Sequence, residues 1–228
     1  HERFDDAVES YKKAIDINPQ FAEAHNNLGQ VLNTLGQFKA GVNSFKKAIE
    51  INPQFTEAYY NFGLTLKKLK YFDEAINNFL SAVSIKPDFF EALNNIGSCL
   101  SFLGRIDEAI KSYEKALTIN PEYANAHHDL GNALISIGQF KSGVKALERS
   151  IEINPDFAEA YTSLGNFFKS RKQRDKSQTY YELAYSLKPD IDFLFGEILN
   201  NERNLCDWSN LSGSLNKLEK TIVNMERV

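Results

Sequence analysis

The chain has 228 residues, 43% of them hydrophobic, and a formal net charge of −4. That composition suits a globular or solenoid protein and supplies no bulk basicity for nucleic acid. No stretch approaches the roughly 18 apolar residues of a membrane span, and no basic start with an apolar run and small-residue cleavage site marks a signal peptide.

The prolines organise everything that follows. All six lie on one series with a spacing of 34 residues: Pro19, Pro53, Pro87, Pro121, Pro155 and Pro189. A fixed period in this range indicates stacked supersecondary units, each unable to bury its apolar face alone. With Pro53 at position 32 of its unit, full units begin at Ala22, Thr56, Phe90, Ala124 and Ala158. Residues 1–20 are then a half-unit that His1 enters in mid-repeat. With Met225 the only methionine, the chain reads as a piece of a longer protein.

In the first half of each unit, position 3 is Ala24, Ala58, Ala92, Ala126 and Ala160. Position 8 is always Gly (Gly29, Gly63, Gly97, Gly131 and Gly165). Glycine inside a helix costs about 1 kcal/mol relative to alanine, so a close helix–helix approach is expected there. Positions 3, 4, 7, 8, 11 and 14 give this helix A one apolar face. In the second half, position 20 is small and position 24 is large: Phe45, Phe79, Tyr113, Leu147 and Tyr181. Small beside large suits a helix B packed on helix A. The helix ends before each proline, which has no amide to continue it. Asn18, Asn52, Asn120 and Asn154 are expected to stop it in the left-handed conformation.

These residues closely resemble the tetratricopeptide repeat (TPR) pattern over residues 1–190. The resemblance implies an all-α solenoid, a right-handed superhelix of antiparallel helix pairs whose concave wall is made by the A helices. Residues 191–228 read as a capping half-repeat and junction helix, with Leu211, Leu215, Leu218 and Ile222 on one face and Trp208 as a packing anchor.

Opposite the apolar face, helix A carries polar residues. Position 6 is Asn27, Asn61, Asn95, Asp129 and Ser163; position 9 includes Gln30, Asn132 and Asn166; position 2 is mostly Glu. A side-chain amide both donates and accepts, so it can pair with a peptide unit in either sense. Packed helices are about 8–10 Å apart and an extended chain advances about 3.3 Å per residue. One amide per repeat therefore meets an extended peptide at about every third residue. Asn27, Asn61, Asn95, Asp129, Gln30, Asn132 and Asn166 are the candidate peptide-binding residues, the alternative being a solvated polar face. Position 5 (Asn26, Tyr60, Asn94, His128, Thr162) has no Lys, so the clamp by which some TPR domains hold acidic tails is missing.

Leu205-Cys206-Asp207-Trp208-Ser209 follows the last proline, with Cys206 17 residues beyond Pro189. This junction, with Phe21-Ala22-Glu23-Ala24-His25-Asn26-Asn27-Leu28-Gly29, resembles the end of the TPR region in O-linked N-acetylglucosamine transferases and their relatives. The resemblance implies a following UDP-sugar-dependent catalytic region and an asparagine ladder that grips acceptor polypeptide. Asn27, Asn61 and Asn95 match that ladder; Asp129 and Ser163 depart from it.

No residues here are assigned to catalysis, a metal or a cofactor. Cys99 and Cys206 have no near partners and read as free thiols in a reducing, cytoplasmic setting. His127-His128 occupy adjacent helical positions that point apart, and His127 reads as a packing residue. Lys169, Arg171, Lys172, Arg174 and Lys176 form a basic run in the last inter-helix turn, which is expected to be loosened because Arg174 replaces the usual aromatic. The expected partner is protein or peptide, with neither nucleic acid nor membrane, and the open half-repeat offers apolar surface for self-association. A stand-alone scaffold is the alternative reading.

Overall fold

A computed structural model of the chain describes residues 2–189, 196–198 and 200. The described residues are helical apart from short turns and contain no strand. Helix α1 (Glu2–Ile17) is a B helix without its A partner. Antiparallel pairs follow: α2–α3 (Ala22–Thr34, Phe38–Ile51), α4–α5 (Thr56–Lys68, Phe72–Ile85) and α6–α7 (Phe90–Phe102, Ile106–Ile119). Then come α8–α9 (Ala124–Ser136, Phe140–Ile153) and α10–α11 (Ala158–Ser170, Arg174–Leu187). Every A helix begins where the proline register places it. The chain forms two compact units, His1–Asp129 and Leu130–Val228, with the boundary inside α8. The junction Cys206-Asp207-Trp208 and the helix expected over Leu211–Ile222 lie outside the described residues.

The glycine at position 8 accommodates a ring. A Cβ on Gly97 would lie 2.5 Å from Cε1 of Tyr113, and one on Gly29 or Gly63 would lie 2.7 Å from Phe45 or Phe79. In the second unit a Cβ on Gly165 would lie 2.5 Å from Tyr181, while Gly131 sits under Leu147. These position-24 side chains are almost wholly buried. The small residue on A and the large one on B are thus the two halves of one contact. In α1 the corresponding Ala7, Tyr11 and Ala14 are only half-buried.

Two local expectations are corrected. The asparagines before proline are not left-handed: Asn52, Asn120 and Asn154 have φ between −127° and −129° with ψ 92–93°. The following proline ring forces its predecessor into extended backbone. Asparagine instead uses its side chain, accepting the backbone N–H two residues on: Asn52 Oδ1 from Gln54 at 3.0 Å and Asn120 Oδ1 from Glu122 at 3.1 Å. Such Asx turns are a known use of Asn at a helix exit.

The left-handed residue lies elsewhere, at position 15 in the A–B turn: Gly36, Lys70, Gly104, Gly138 and Lys172, with φ from 59° to 82°. There it closes helix A, with Gln37 N–H donating to Leu32 O at 2.8 Å and Gly36 N–H to Asn33 O at 3.0 Å, a Schellman-type end. The last turn is not loosened by Arg174. Gln173 N–H donates to Phe168 O at 2.9 Å, and α11 has 14 residues like α3, α5, α7 and α9. The turn closes on Lys172 as the others close on Gly36 and Lys70, with Arg174 in place of the aromatic.

Candidate functional site

In the first unit the A helices of consecutive repeats touch, α2 against α4 and α4 against α6, whereas no comparable contact joins one B helix to the next. The A helices therefore line the inner side of that stack. Their polar face carries Asn27, Asn61, Asn95 and Asp129, all half-buried, and Gln30, which is exposed.

The position-6 residues are not simply displayed to solvent. Asn61, Asn95 and Asp129 are each held by position 5 of the preceding repeat, 35 residues earlier. Asn61 Nδ2 donates to Asn26 Oδ1 at 3.1 Å. Asn95 Nδ2 donates to the Tyr60 hydroxyl at 3.2 Å. Asn94 Nδ2 donates to Asp129 Oδ2 at 3.0 Å. Asn26 and Asn94 are buried, so the bridge runs just beneath the wall and stitches one A helix to the next. Asn26, Tyr60 and Asn94 at position 5, where an acidic-tail clamp would need lysine, are instead bonded to the adjoining repeat.

The ladder differs along its length. Asn27 Oδ1 accepts from Asn26 Nδ2 at 3.3 Å, leaving its own Nδ2 without a partner among the described residues. Asn61 commits its Nδ2 to Asn26 and keeps Oδ1 open. Asn95 is committed at both ends: Nδ2 also donates to Glu91 O at 2.9 Å, and Oδ1 accepts from Lys67 Nζ at 2.9 Å. Asp129 is engaged on both oxygens, the second with His128 Nδ1 at 3.1 Å. An open donor and an open acceptor thus stand on neighbouring repeats, while the next two positions are internally satisfied.

Tyr60 anchors the middle of the wall. Its ring packs on Phe89 and Phe79 with centroids 4.7 and 5.7 Å apart. Burial, and then the nearby Glu91 carboxylate, raise its hydroxyl above the usual phenol range, so it stays neutral. Beneath the wall, Cys99 is fully buried and its thiol is pushed up to about 11 by burial. This is an inert packing residue, not a nucleophile.

The remaining candidates fall in the second unit. Asn132 is exposed on α8, and Asn166 on α10 accepts from the hydroxyl of Tyr181 at 2.8 Å. That bond ties an A helix to its own B helix instead of to the next A helix. His127 is more than a packing residue: its Nε2 lies 2.8 Å from Pro121 O, as His25 Nε2 lies 3.2 Å from Pro19 O. Among the described residues no three His, Cys, Asp or Glu side chains are placed to hold a metal, and no helix is long and apolar enough to cross a membrane.

Missing from the sequence reading were position 5 and Lys67. The available signal was the pairing of polar residues at a spacing of 35 (Asn26 with Asn61, Tyr60 with Asn95, Asn94 with Asp129), one residue longer than the repeat.

Paired helices closed by left-handed turns, with a polar inner wall, define a helix-repeat binding scaffold. Family models agree. The TPR repeat model matches residues 2–36 and 103–138, and two tetratricopeptide repeat models match 22–55 and then 56–89, 124–157 and 158–191. The chain belongs to the tetratricopeptide repeat family. No curated protein sequence matches it significantly. Among solved structures, MamA is 26% identical over 71% of this chain and 95% of its own, with a TM-score of 0.62. YrrB, described as a TPR protein with an unusual peptide-binding site, is 21% identical over 83% of this chain and 97% of its own, with a TM-score of 0.63. PilF of Pseudomonas aeruginosa is 17% identical over 88% and 91%, with a TM-score of 0.74. YrrB and PilF are similar in fold alone.

Proposed function

We propose that the chain is a protein-interaction module that holds extended polypeptide on the inner wall of its first unit. The observation that carries this reading is the pair of open polar atoms, Asn27 Nδ2 and Asn61 Oδ1, on side chains already fixed by Asn26. Pre-fixed side chains lose little rotamer freedom on binding. A donor and an acceptor one repeat apart match the two polar groups of a peptide backbone. Gln30 and the unused N–H groups of Lys67 extend the same strip. Contact through backbone groups tolerates many side-chain sequences.

The resemblance of the Cys206-Asp207-Trp208 junction and of the ladder supports a finer assignment. In it the array is the acceptor-recruiting arm of an O-linked N-acetylglucosamine transferase-like protein of the cytoplasm, and the parent sequence beyond Val228 encodes a UDP-sugar transferase region. A parent sequence without such a region would leave the scaffold reading.

The direct test selects peptides from a random library on the intact chain and measures their affinity for the Asn27→Ala/Asn61→Ala/Asn95→Ala variant. Two lost hydrogen bonds at about 1 kcal/mol each weaken binding by about 30-fold. Unchanged affinity, with the melting temperature preserved, removes the ladder from the function.

A further inference from the structure

Each unit also has an outer groove, between consecutive B helices and floored by the A helix between them. In the first unit it lies between α3 and α5 over α4, with a volume of about 660 Å³. In the second it lies between α9 and α11 over α10, with a volume of about 590 Å³. Equivalent repeat positions line both. Their chemistry is different. The first has Lys39 and Lys46 facing Glu74, with asparagines between. The second is walled by Lys141, Lys145, Arg171 and Lys176 over Val144 and Phe167. It shares Gln173 and Lys176 with a smaller hollow of about 480 Å³ that adds Lys172 and Arg174.

Lys141, Lys145, Arg171, Lys172 and Lys176 are all exposed, and none has a carboxylate within 4.0 Å among the described residues. Glu148 and Asp175 are the acidic members of the two linings. So dense a set of unneutralised cations is unexpected in a chain of net charge −4. The arrangement is also ordered. Arg171 lies over the Phe140 ring at 4.4 Å, and Lys176 over Phe168 at 5.1 Å. These rings hold the cationic stems along the groove walls.

We infer that the outer groove of the second unit docks an acidic protein segment, one rich in Asp and Glu that seats an apolar side chain on Val144 and Phe167. Charge complementarity selects the acidic residues, and the half-buried floor selects the anchor. Nucleic acid fits less well. Among the described residues three rings line the groove: Phe140 is covered by Arg171, Phe168 by Lys176 and by Tyr180, stacked at 5.4 Å, and Phe167 packs against Phe140 and Phe168 with centroids 5.8 and 5.2 Å away. A base would have to displace those cations or lie on Phe167 alone, which offers no platform for successive stacked bases. Glu148 inside the groove repels a phosphate chain but tolerates a peptide with spaced carboxylates. On α10 the groove lies away from Asn166: Phe168 is two residues further on, about 200° round the helix.

The test uses the full chain and a fluorescein-labelled synthetic peptide of Glu and Asp around one central Leu, followed by anisotropy. Binding is expected at an ionic strength of about 0.05 M and should fall at least tenfold at about 0.5 M. Lys141→Glu/Lys145→Glu should weaken it at least tenfold, as should replacing the peptide's Leu by Ser. Asn27→Ala/Asn61→Ala should leave it unchanged, which separates this site from the inner wall. Should the charge-reversed variant melt early, Arg171→Gln/Lys176→Gln serves in its place. Absence of binding at low salt overturns the inference. So does affinity indifferent to both lysine and arginine variants, or tighter binding of a single-stranded oligonucleotide of equal charge.

Discussion

The two units share one packing rule and differ in the polar and charged residues that surround it. In both, a position-8 glycine lies beneath a buried position-24 side chain, Tyr113 over Gly97 in one and Tyr181 over Gly165 in the other. Above that shared layer the first unit links successive A helices by its Asn26–Asn61, Tyr60–Asn95 and Asn94–Asp129 bonds. The second joins Asn166 to Tyr181 within one repeat and gathers cations on its outer side. Interior contacts between fixed backbones tolerate few shapes, whereas a solvent-facing side chain is constrained only by what it meets. Recognition in this chain is therefore expected where the units diverge.

The shared layer is the first place to break the comparison, and the largest effect is expected there. Gly97→Ala and Gly165→Ala each drive a methyl to 2.5 Å from a buried ring edge. Each should cost about 1–3 kcal/mol in denaturant unfolding. A large loss at Gly97 with none at Gly165 would show that the units do not share the rule.

A second effect should be confined to the first unit. Cys99 is neutral when folded, with its thiol raised from 9.0 to about 11. Above pH 9 the unfolded thiol releases its proton while the folded one keeps it, so the unfolded state binds fewer protons and stability falls as pH rises. The contribution is complete below pH 9 and is lost by about pH 11. Thermal melts over that window should show a steeper decline in the parent chain than in Cys99→Ala; equal slopes would remove the thiol from the account. Tyr123 and Tyr181, both raised to about 12 chiefly by burial, add to the fall in both proteins at higher pH.

The smallest effect compares one turn in both units. Lys70 and Lys172 hold φ of 65° and 59°, where the equivalent residue in three other repeats is glycine. Lys70→Gly and Lys172→Gly should each stabilise by about 0.5–1 kcal/mol by removing left-handed strain. A loss of stability in either would mean that the lysine side chain contributes contacts that outweigh the strain.

Much of the fold was legible from a few residue types. Proline cannot sit in a helix interior, so Pro19 through Pro189 marked each boundary, and the helix starts at Ala22, Thr56, Phe90, Ala124 and Ala158 followed. The glycines signalled that helix B presses on helix A, although not that the contact would be the position-24 side chain, a ring in four of the five repeats. Less of the site was readable. Asn27, Asn61 and Asn95 stood out by type and spacing, but the position-5 partners of Asn61 and Asn95 sit in the preceding repeat. The exit asparagines were misread because Asn supports both a left-handed backbone and an Asx turn, and only the following proline ring decides between them.

The sequence by itself determined the repeat length, the helix pairing and the buried face, because those follow from local steric rules and an apolar period repeated in every unit. Tertiary structure alone decided which amides are spent between repeats and which stay open. It also decided where Lys141, Lys145, Arg171 and Lys176 converge. Both depend on distances between residues about one repeat apart in the chain, and helix packing, not spacing along the sequence, sets those distances.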